Sequence, residues 1–479
     1  MRILPALAVV AALVLTAPGT AHEGGGDPGG SASGPALSEV ACVDGMAAGF
    51  PCRNVHLHAF VPVADLGTTR LNDVWGWTDP LTSIPYALVG TLEGVVFVSL
   101  ADPDHPEVIG RILSPTTTSL WGDSRVHANH AFLVKESAGH GLQVFDLTRL
   151  RDVTSPPVTF TQDARYTGFG NAHTVATNAA TGLGVAAGTG TCSGGLHLLD
   201  LADPLAPTFL GCFSADGYTH DVECVVYAGP DPDHQGREIC FASNLDTLTI
   251  VDVTDRAAPV QLARESYPGV GYVHQGWLTA DQRYFLQNDE FDERIFGHET
   301  RTHVWDLSDL DAPIWRGFHS HDTSAIDHNL VVVGKHVFEA NYRAGVRILR
   351  QGDLARAELA EIAFLDTIPN DDVPDYSGVW GVHVFESGLV IASDIFGGLF
   401  VLEPDLEAVA ECEDGIDNDV DGSIDASGGP NGEPHDAGCF GPKDPVEGAR
   451  PLLWSCGLGP ELAPLLGLLV VLRARSRAR

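Results

Sequence analysis

A short apolar run that ends in a turn-forming polar residue recurs seven times along this chain of 479 residues. The clearest copies read VVFVSLADPDHP, LHLLDLADPLAP, LTIVDVTDRAAP and THVWDLSDLDAP. The residues just before the turn are Ser99, Asp146, Asp200, Asp252, Asp306, Arg350 and Glu403, at intervals of 44 to 54 residues. A repeat of this length predicts a propeller or a solenoid.

Each repeat has the length of one propeller blade, because four strands of about five residues with short turns need roughly 40 to 50 residues. The Asp-Pro step favours a turn, since Asp bonds its own following backbone and Pro presets φ. A return strand such as TFLGCF (208–213) follows the turn. A β-sandwich of unrelated strands is the alternative, and seven copies with the same turn disfavour it. The sequence predicts an all-β, seven-bladed β-propeller over residues 54–404.

The seventh copy lacks a return strand, which would leave the last blade with an unpaired edge. The segment NVHLHAFVPV (54–63) resembles the return strands and has no blade of its own. We therefore expect it to pair with the blade that carries Glu403 and to close the ring.

The N-terminus has the pattern of a secretory signal peptide over residues 1–21, with Arg2, an apolar stretch and small residues up to Ala21. Residues 22–53 are predicted to be a flexible leader with a cysteine pair. The formal charge is −37, from 27 basic and 64 acidic residues. This charge disfavours nucleic acid and anionic membranes as partners, and it favours cations or basic surfaces.

Export makes disulfides the expected state of the nine cysteines. Nearest-neighbour pairing predicts Cys42–Cys52, Cys192–Cys212, Cys224–Cys240 and Cys412–Cys439, and it leaves Cys456 over. Cys192 could alternatively be a nucleophile, but no elbow motif surrounds it. The segment HETRTH (298–303) has one residue too many between its histidines for a metalloprotease helix and runs into a strand, so it is not assigned as a metal site.

Histidines recur with nearly the blade period, at intervals of 46 to 55 residues. They are His127, His173, His220, His274, His328 and His383. If the strands that follow are the innermost of their blades, these histidines and Asp221 would ring one mouth of the central channel. Two interpretations stay open: each histidine bonds the backbone of the next blade, or several bind a transition metal such as Zn²⁺. A metal-dependent hydrolase or oxidoreductase is the alternative function, although no dedicated acid/base pair is evident.

An Asp-rich, cysteine-bracketed stalk is predicted over residues 405–450. Its segment CEDGIDNDVDGSID spaces Asp417, Asp419 and Asp421 at alternate positions ahead of Asp425, as in a calcium-binding loop. The twelfth position is Gly428 instead of Glu, so a full EF-hand is not expected. A solvated acidic linker is the alternative to Ca²⁺ binding.

The C-terminal segment, residues 451–479, combines a small-residue motif around Cys456, an apolar stretch up to Leu472 and a cluster of arginines. The apolar part is short for a permanent span. It predicts a sorting signal that a processing enzyme recognises near Cys456, and a plain membrane helix is the alternative. Membrane contact is expected only through this tail.

The repeats resemble LVIVD repeats, and long motifs resemble the choice-of-anchor B family of bacterial surface proteins. These motifs include NDVWGWTDP (72–80), VHQGWLTADQRYFLQNDE (273–290) and SDIFGGLFVLEP (393–404). The tail is similar to MYXO-CTERM sorting signals. We expect a monomer at the cell surface or outer membrane of a Gram-negative bacterium, or released from it, that binds or scaffolds an unknown extracellular ligand. The resemblance itself implies a secreted propeller attached by one of several C-terminal anchors. It implies no reaction.

Overall fold

The computed structural model describes residues 34–410 together with Ile416, Ser423 and Cys439. The predicted signal peptide, the predicted calcium ligands Asp417, Asp419, Asp421 and Asp425, and the C-terminal segment with Cys456 lie outside the described residues. Among the described residues, no helix is long and apolar enough to span a membrane. The only α-helix in this part of the chain is α1 (Asp292–Phe296), beside three short 3₁₀ turns (Leu147–Asp152, Cys192–Gly194 and Leu354–Arg356).

Within the described residues, thirty-two strands form seven separate sheets. The first part of the chain forms β1 (Leu37–Ala41), β2 (Met46–Ala47), β3 (Phe50–Arg53), β4 (Val55–Pro62), β5 (Leu71–Thr78), β6 (Pro85–Thr91), β7 (Gly94–Ser99), β8 (Glu107–Leu113), β9 (Gly122–His127), β10 (His130–Lys135), β11 (Leu142–Asp146), β12 (Val158–Phe160) and β13 (Ala164–Tyr166). The middle forms β14 (Thr174–Asn178), β15 (Leu183–Ala187), β16 (Leu196–Asp200), β17 (Thr208–Phe213), β18 (Asp221–Val226), β19 (Glu238–Ser243), β20 (Leu248–Asp252), β21 (Val260–Glu265), β22 (Val273–Leu278), β23 (Tyr284–Asp289), β24 (Arg301–Asp306) and β25 (Ile314–Ser320). The last part forms β26 (Asn329–Val333), β27 (His336–Ala340), β28 (Val346–Gln351), β29 (Leu359–Leu365), β30 (Val379–Val384), β31 (Val390–Asp394) and β32 (Gly398–Pro404).

The sheets are the blades of a seven-bladed β-propeller, which confirms the predicted fold class. Blades 1 to 7 begin with β5, β9, β14, β18, β22, β26 and β30, respectively. These first strands contact one another in a closed ring and therefore surround the central channel. The repeated apolar runs form the third strand of each blade, and the segments after the Asp-Pro turns form the outer strands, as in β8, β17 and β21.

The core lies between neighbouring blades, because each sheet buries both faces against its neighbours. Phe97 of blade 1 stacks on Phe145 of blade 2 with ring centroids 4.8 Å apart. Phe241 of blade 4 stacks in the same way on Phe285 of blade 5, at 5.7 Å. All four rings are fully buried. Aromatic pairs of this kind hold adjacent blades in register.

The ring closes as the sequence predicts. Strand β4 pairs antiparallel with β32 and places His56 opposite Glu403, so the N-terminal strand completes the last blade. A closed ring leaves this blade without the exposed edge that its own three strands would have.

The structure corrects the expectation of a flexible leader over residues 22–53 for the part from Leu37 onward. Strand β1 adds a fifth strand to blade 7 by pairing with β4, and β3 pairs with β29 of blade 6. The physical reason is that both blades offer outer edges, which strands of this segment cover. The Cys42–Cys52 disulfide joins the segment to itself.

Three of the predicted disulfides are present, namely Cys42–Cys52, Cys192–Cys212 and Cys224–Cys240. The bond at Cys192 removes the alternative of a nucleophilic thiol. Cys439 is disulfide-bonded, and its predicted partner Cys412 lies outside the described residues.

Candidate ligand site at the mouth of the central channel

Four of the six predicted histidines meet at one mouth of the channel. His173, His220 and His328 directly precede the first strands of their blades, and His274 is the second residue of β22. The ring centroids of His173 and His220 are 4.0 Å apart, those of His220 and His274 are 4.0 Å apart, and those of His274 and His328 are 4.3 Å apart. The side chains of blades 3 to 6 therefore form a continuous arc of imidazoles.

Three of these histidines bond the backbone of the next blade. The Nδ1 atoms of His220, His274 and His328 lie 3.0, 2.9 and 2.6 Å from the carbonyl oxygens of His274, His328 and Trp380, respectively. A carbonyl oxygen only accepts, so each Nδ1 is the donor and the lone pair of the neutral ring is on Nε2. The interpretation that each histidine bonds the backbone of the next blade is thus correct for the Nδ1 atoms of these three residues. The same bonds orient Nε2 as in histidines that ligate metals.

Glu290 faces two of these Nε2 atoms. It follows β23 directly and is 4% exposed. Its carboxylate oxygens lie 3.9 Å from Nε2 of His274 and 3.6 Å from Nε2 of His328. The hydroxyl of Tyr342 donates to Oε1 of Glu290 at 2.8 Å and fixes the carboxylate. We call His274, His328 and Glu290 the channel-mouth site, because their ligand atoms all lie within 4.8 Å of one another.

The protonation of the arc changes along its length. Burial, together with the neighbouring His220 and His328, lowers the pKa of His274 well below its ordinary value. His274 is therefore neutral at pH 7, as a metal ligand must be. At the other end, burial disfavours the charged form of His173, but the hydrogen bond between Nδ1 and Glu136 (2.7 Å) and the charges of Glu136, Asp123 and Asp221 together outweigh burial and raise the pKa.

The cavity beneath the histidines is polar and small. It has a volume of about 30 Å³ and is also lined by Asp221, Asp73 and Arg125. Burial raises the pKa of Asp221 to about 7, against the opposing charge of Arg125. The guanidinium of Arg125 donates to Asp123 at 2.6 Å and lies over the ring of Trp75 at 4.2 Å. The space suits an ion with one or two waters better than a large organic molecule.

The expectation that all six histidines share this mouth is wrong for His127 and His383. His328 bonds the carbonyl of Trp380 just as His274 bonds that of His328, so Trp380 takes the next position in the arc. His383 comes three residues later, about 10 Å further along the strand. It packs against Trp75, with ring centroids 4.7 Å apart. His127 is likewise the last residue of its strand, β9.

Sequence reasoning missed Glu290, Glu136 and the tyrosines around the arc. A repeated Tyr-x-His pattern, Tyr218 before His220 and Tyr272 before His274, is a signal that could have found two of the tyrosines. The rings of His220 and Tyr272 are 5.4 Å apart. Glu290 follows the end of β23, and no repeated sequence pattern includes it.

Comparison with known proteins identifies no family for this chain and finds only distant structural similarity. No protein-family model matches the chain, and no curated protein matches it. Among solved structures, the β-propeller domain of Cps50 (Swd1) from Myceliophteria thermophila is similar, with a TM-score of 0.43, 13% identity, and coverage of 67% of this chain and 93% of that one. The computationally designed Ika8 protein has a TM-score of 0.44 and 9% identity, and it covers 78% of this chain and 98% of its own. Both TM-scores are below 0.5, so the fold assignment rests on the strand pairing alone.

The strand pairing and the site together define the class. The chain is a seven-bladed β-propeller with a polar mouth at which histidines of four successive blades converge. Propellers of this architecture host many functions, so the function must be argued from the site.

Proposed function

We propose that this propeller is an exported, surface-attached binding module whose ligand site is the channel mouth. The signal-peptide pattern, the C-terminal pattern and the resemblance to the choice-of-anchor B family support export and attachment. The polar, histidine-rich mouth supports binding, since it gathers oriented polar groups from four blades in one concave place.

The observation that carries the proposal is the geometry of the channel-mouth site. Two imidazoles present oriented Nε2 atoms to a buried carboxylate, and their Nδ1 atoms are held by backbone carbonyls. This donor set fits a divalent transition ion such as Zn²⁺. Three protein ligands leave a coordination position at which the ion would take a donor atom of the extracellular ligand.

Zn²⁺ titration of the chelator-treated protein by calorimetry tests the proposal. We expect the double variant His274→Gln/His328→Gln to lose one equivalent of Zn²⁺ that the wild type binds. The matched control is His127→Gln, which removes a histidine outside the arc and should leave binding unchanged. Equal binding by the wild type and the double variant would contradict the proposal.

A metal-dependent hydrolase is the second candidate function. The observation that favours it is Asp221, which lines the same cavity and whose pKa is raised by burial to about 7, as suits a general base. Zn²⁺-loaded protein should then hydrolyse activated esters or phosphodiesters. Asp221→Asn should lower the rate by about 100-fold without changing the bound Zn²⁺. Turnover that Asp221→Asn leaves intact would rule out this role.

Attachment is proposed to depend on Cys456. Cys456→Ala should leave an unprocessed chain in the inner membrane, which fractionation and mass spectrometry would detect. Recovery of the intact segment 473–479 from surface protein would show that the tail is an ordinary anchor.

The stalk is proposed to bind Ca²⁺ through Asp417, Asp419, Asp421 and Asp425. Asp417→Asn/Asp419→Asn should abolish Ca²⁺ binding by the tail in a calorimetric titration. A tail that binds equally well with both substitutions would be a solvated acidic linker.

A further inference from the structure

Two buried carboxylates in blade 5 have no hydrogen-bond partner. Asp292 and Glu293 begin helix α1 in the loop between β23 and β24, and each is 1% exposed. Within the described part of the chain, none of their four side-chain oxygens receives a hydrogen bond. A buried ionised carboxylate without compensation is strongly unfavourable. In the metal-free protein, burial and the neighbouring Asp327 and Asp292 therefore raise the pKa of Glu293 well above its ordinary value, and a bound cation would take the place of its proton.

The surroundings are rich in buried acids. Asp327 and Asp289 are both 0% exposed, and burial together with the charge of Asp292 raises the pKa of each. These two are partly satisfied, since Asn288 donates to Asp327 at 2.7 Å and the Tyr267 hydroxyl donates to Asp289 at 2.7 Å. No such donor reaches Asp292 or Glu293 within the described part of the chain.

Few basic groups act on Asp292. Arg301 is the permanently charged one, and His298 would add charge only in its protonated form. His303 does not contribute, because burial lowers its pKa to about 4 and keeps the ring neutral. A divalent ion would supply the missing charge.

His298 presents the lone pair that such an ion needs. Its Nδ1 lies 2.8 Å from the carbonyl oxygen of Glu299, which can only accept, so Nδ1 donates and the neutral ring has its lone pair on Nε2. This Nε2 lies 3.3 Å from Oδ2 of Asp292. Ligands about 2.1 Å from one ion are separated by roughly 3.0 to 3.4 Å, so the two atoms are spaced as neighbours in one coordination shell.

His303 lies beside the carboxylate of Asp292 on the buried side. It is 1% exposed, and its Nε2 lies 3.7 Å from Oδ2 of Asp292 without a hydrogen-bond partner among the described residues. Its Nδ1 accepts from the indole N–H of Trp315 at 3.2 Å, which places the ring proton on Nε2. The Nε2 of His303 therefore has no lone pair to offer, and His303 is not a ligand.

We propose that Asp292, Glu293 and His298 bind a divalent transition-metal ion at a second site, separate from the channel-mouth site. Their ligand atoms lie within 4.8 Å of one another. The mixture of one imidazole with two carboxylates suits Zn²⁺. The side chain of His298 is 15% exposed, which opens the site to ions in solution. We call these three residues the acidic cluster.

Zn²⁺ titration in a background that lacks the channel-mouth site tests the proposal independently of the proposed function. The background is the full chain with His274→Gln/His328→Gln, chelated and then kept in excess Ca²⁺ to occupy oxygen-only sites. It should bind one equivalent of Zn²⁺. Adding Asp292→Asn/Glu293→Gln should weaken this binding by at least about 100-fold, and His298→Gln by at least about 10-fold.

Glu299→Gln is the matched control, since it removes an exposed carboxylate one residue from His298 and keeps the backbone carbonyl that orients the ring. It should not change Zn²⁺ affinity. Circular dichroism of the metal-free variants checks their folding, which the amide substitutions should preserve because they remove uncompensated charge.

Each outcome decides the proposal. If the background binds no Zn²⁺, Asp292 and Glu293 share protons as neutral acids and the proposal is overturned. It is also overturned if Zn²⁺ binding survives Asp292→Asn/Glu293→Gln, or if excess Ca²⁺ displaces Zn²⁺, because His298 is then not a ligand. The wild type could instead bind a single equivalent of Zn²⁺ that is lost in Asp292→Asn/Glu293→Gln but kept in His274→Gln/His328→Gln. That result would refute the channel-mouth site and support the acidic cluster.

Discussion

The channel-mouth site and the acidic cluster take their carboxylates from the same loop of blade 5 but satisfy them in opposite ways. Glu290 accepts a hydrogen bond from Tyr342, and the histidines that face it are tied to backbone carbonyls of the next blade. Asp292 and Glu293, two and three residues later, have no donor in the described part of the chain.

The difference separates two ways of building an ion site. The channel-mouth site is held by contacts between blades and should keep its shape without an ion. The acidic cluster lacks such support, so its folded state without an ion is destabilised by its own charges. The following predictions concern the metal-free protein unless stated otherwise, and they run from the largest to the smallest expected effect.

His328→Ala should lower the free energy of unfolding by about 4 kcal/mol, because it removes a fully packed ring and leaves the carbonyl of Trp380 without its donor. Urea denaturation at pH 7 measures the loss. His298→Ala in the acidic cluster is the comparison and should cost far less, since its side chain is partly exposed. Equal losses would mean that the channel-mouth site is no better supported than the acidic cluster.

The two sites should respond to pH in opposite directions. Burial raises the pKa of Asp292 from 3.8 to about 6. Between these values the unfolded chain releases a proton that the folded chain retains, so stability falls by about 3 kcal/mol as the pH rises from about 4 through 6. The fall should be smaller by this amount in Asp292→Asn, while the part due to Glu293, whose pKa burial raises well above its ordinary value, remains.

His274 should act in the other direction, because its pKa in the folded protein is well below the ordinary value of 6.5. As the pH falls below 6.5, the unfolded chain takes up a proton that folded His274 does not, and stability is lost. Thermal denaturation from pH 4 to 8 should show this loss in the wild type and a smaller one in His274→Gln. A stability profile identical in both proteins would contradict the assignment of a neutral His274.

Asp292→Asn/Glu293→Gln should raise the free energy of unfolding at pH 7 by about 2 kcal/mol, because neutral amides avoid both the burial of the Asp292 charge and the protonation of Glu293 that folding requires. Addition of Zn²⁺ should reverse the order, since the ion stabilises only the wild-type cluster. Denaturant midpoints with and without Zn²⁺ test both parts. Destabilisation of the metal-free double variant would show that the carboxylates have partners after all.

Tyr342→Phe should have the smallest effect, about 1 kcal/mol, from loss of one hydrogen bond to Glu290. Zn²⁺ affinity at the channel-mouth site should fall by roughly 10-fold, while binding at the acidic cluster stays unchanged. Tyr284→Phe, at the opposite end of β23, is the control. An equal drop in affinity at both sites would indicate a general change in the fold.

The fold was accessible from the sequence because its signals are local. The 44-to-54-residue period, the turn after Asp306 and similar residues, and the missing return strand after Glu403 predict seven blades and the strand that closes them. The short loops between cysteines likewise predict the Cys192–Cys212 and Cys224–Cys240 bonds, because nearby strands of one blade bring them together.

Only part of the candidate site could be predicted from the sequence. The period of the histidines predicts that they come from successive blades, but it does not set their position along each strand. In blade 5 a register shift between Val273 and Gly276 places His274 inside its strand. In blade 7 the equivalent position is Trp380, and His383 faces another part of the channel.

By itself, the sequence determined the number of blades, the closing strand and the blades from which the histidines come, since periodicity and turn chemistry act over a few residues. The tertiary structure alone decided that Glu290 meets His274 and His328, and that Asp292 and Glu293 are buried beside His298. Those contacts depend on where the strands of different blades begin and on the conformation of the loop between β23 and β24, which contains α1. Glu290 and His328 are 38 residues apart along the chain, so no local sequence pattern predicts their contact.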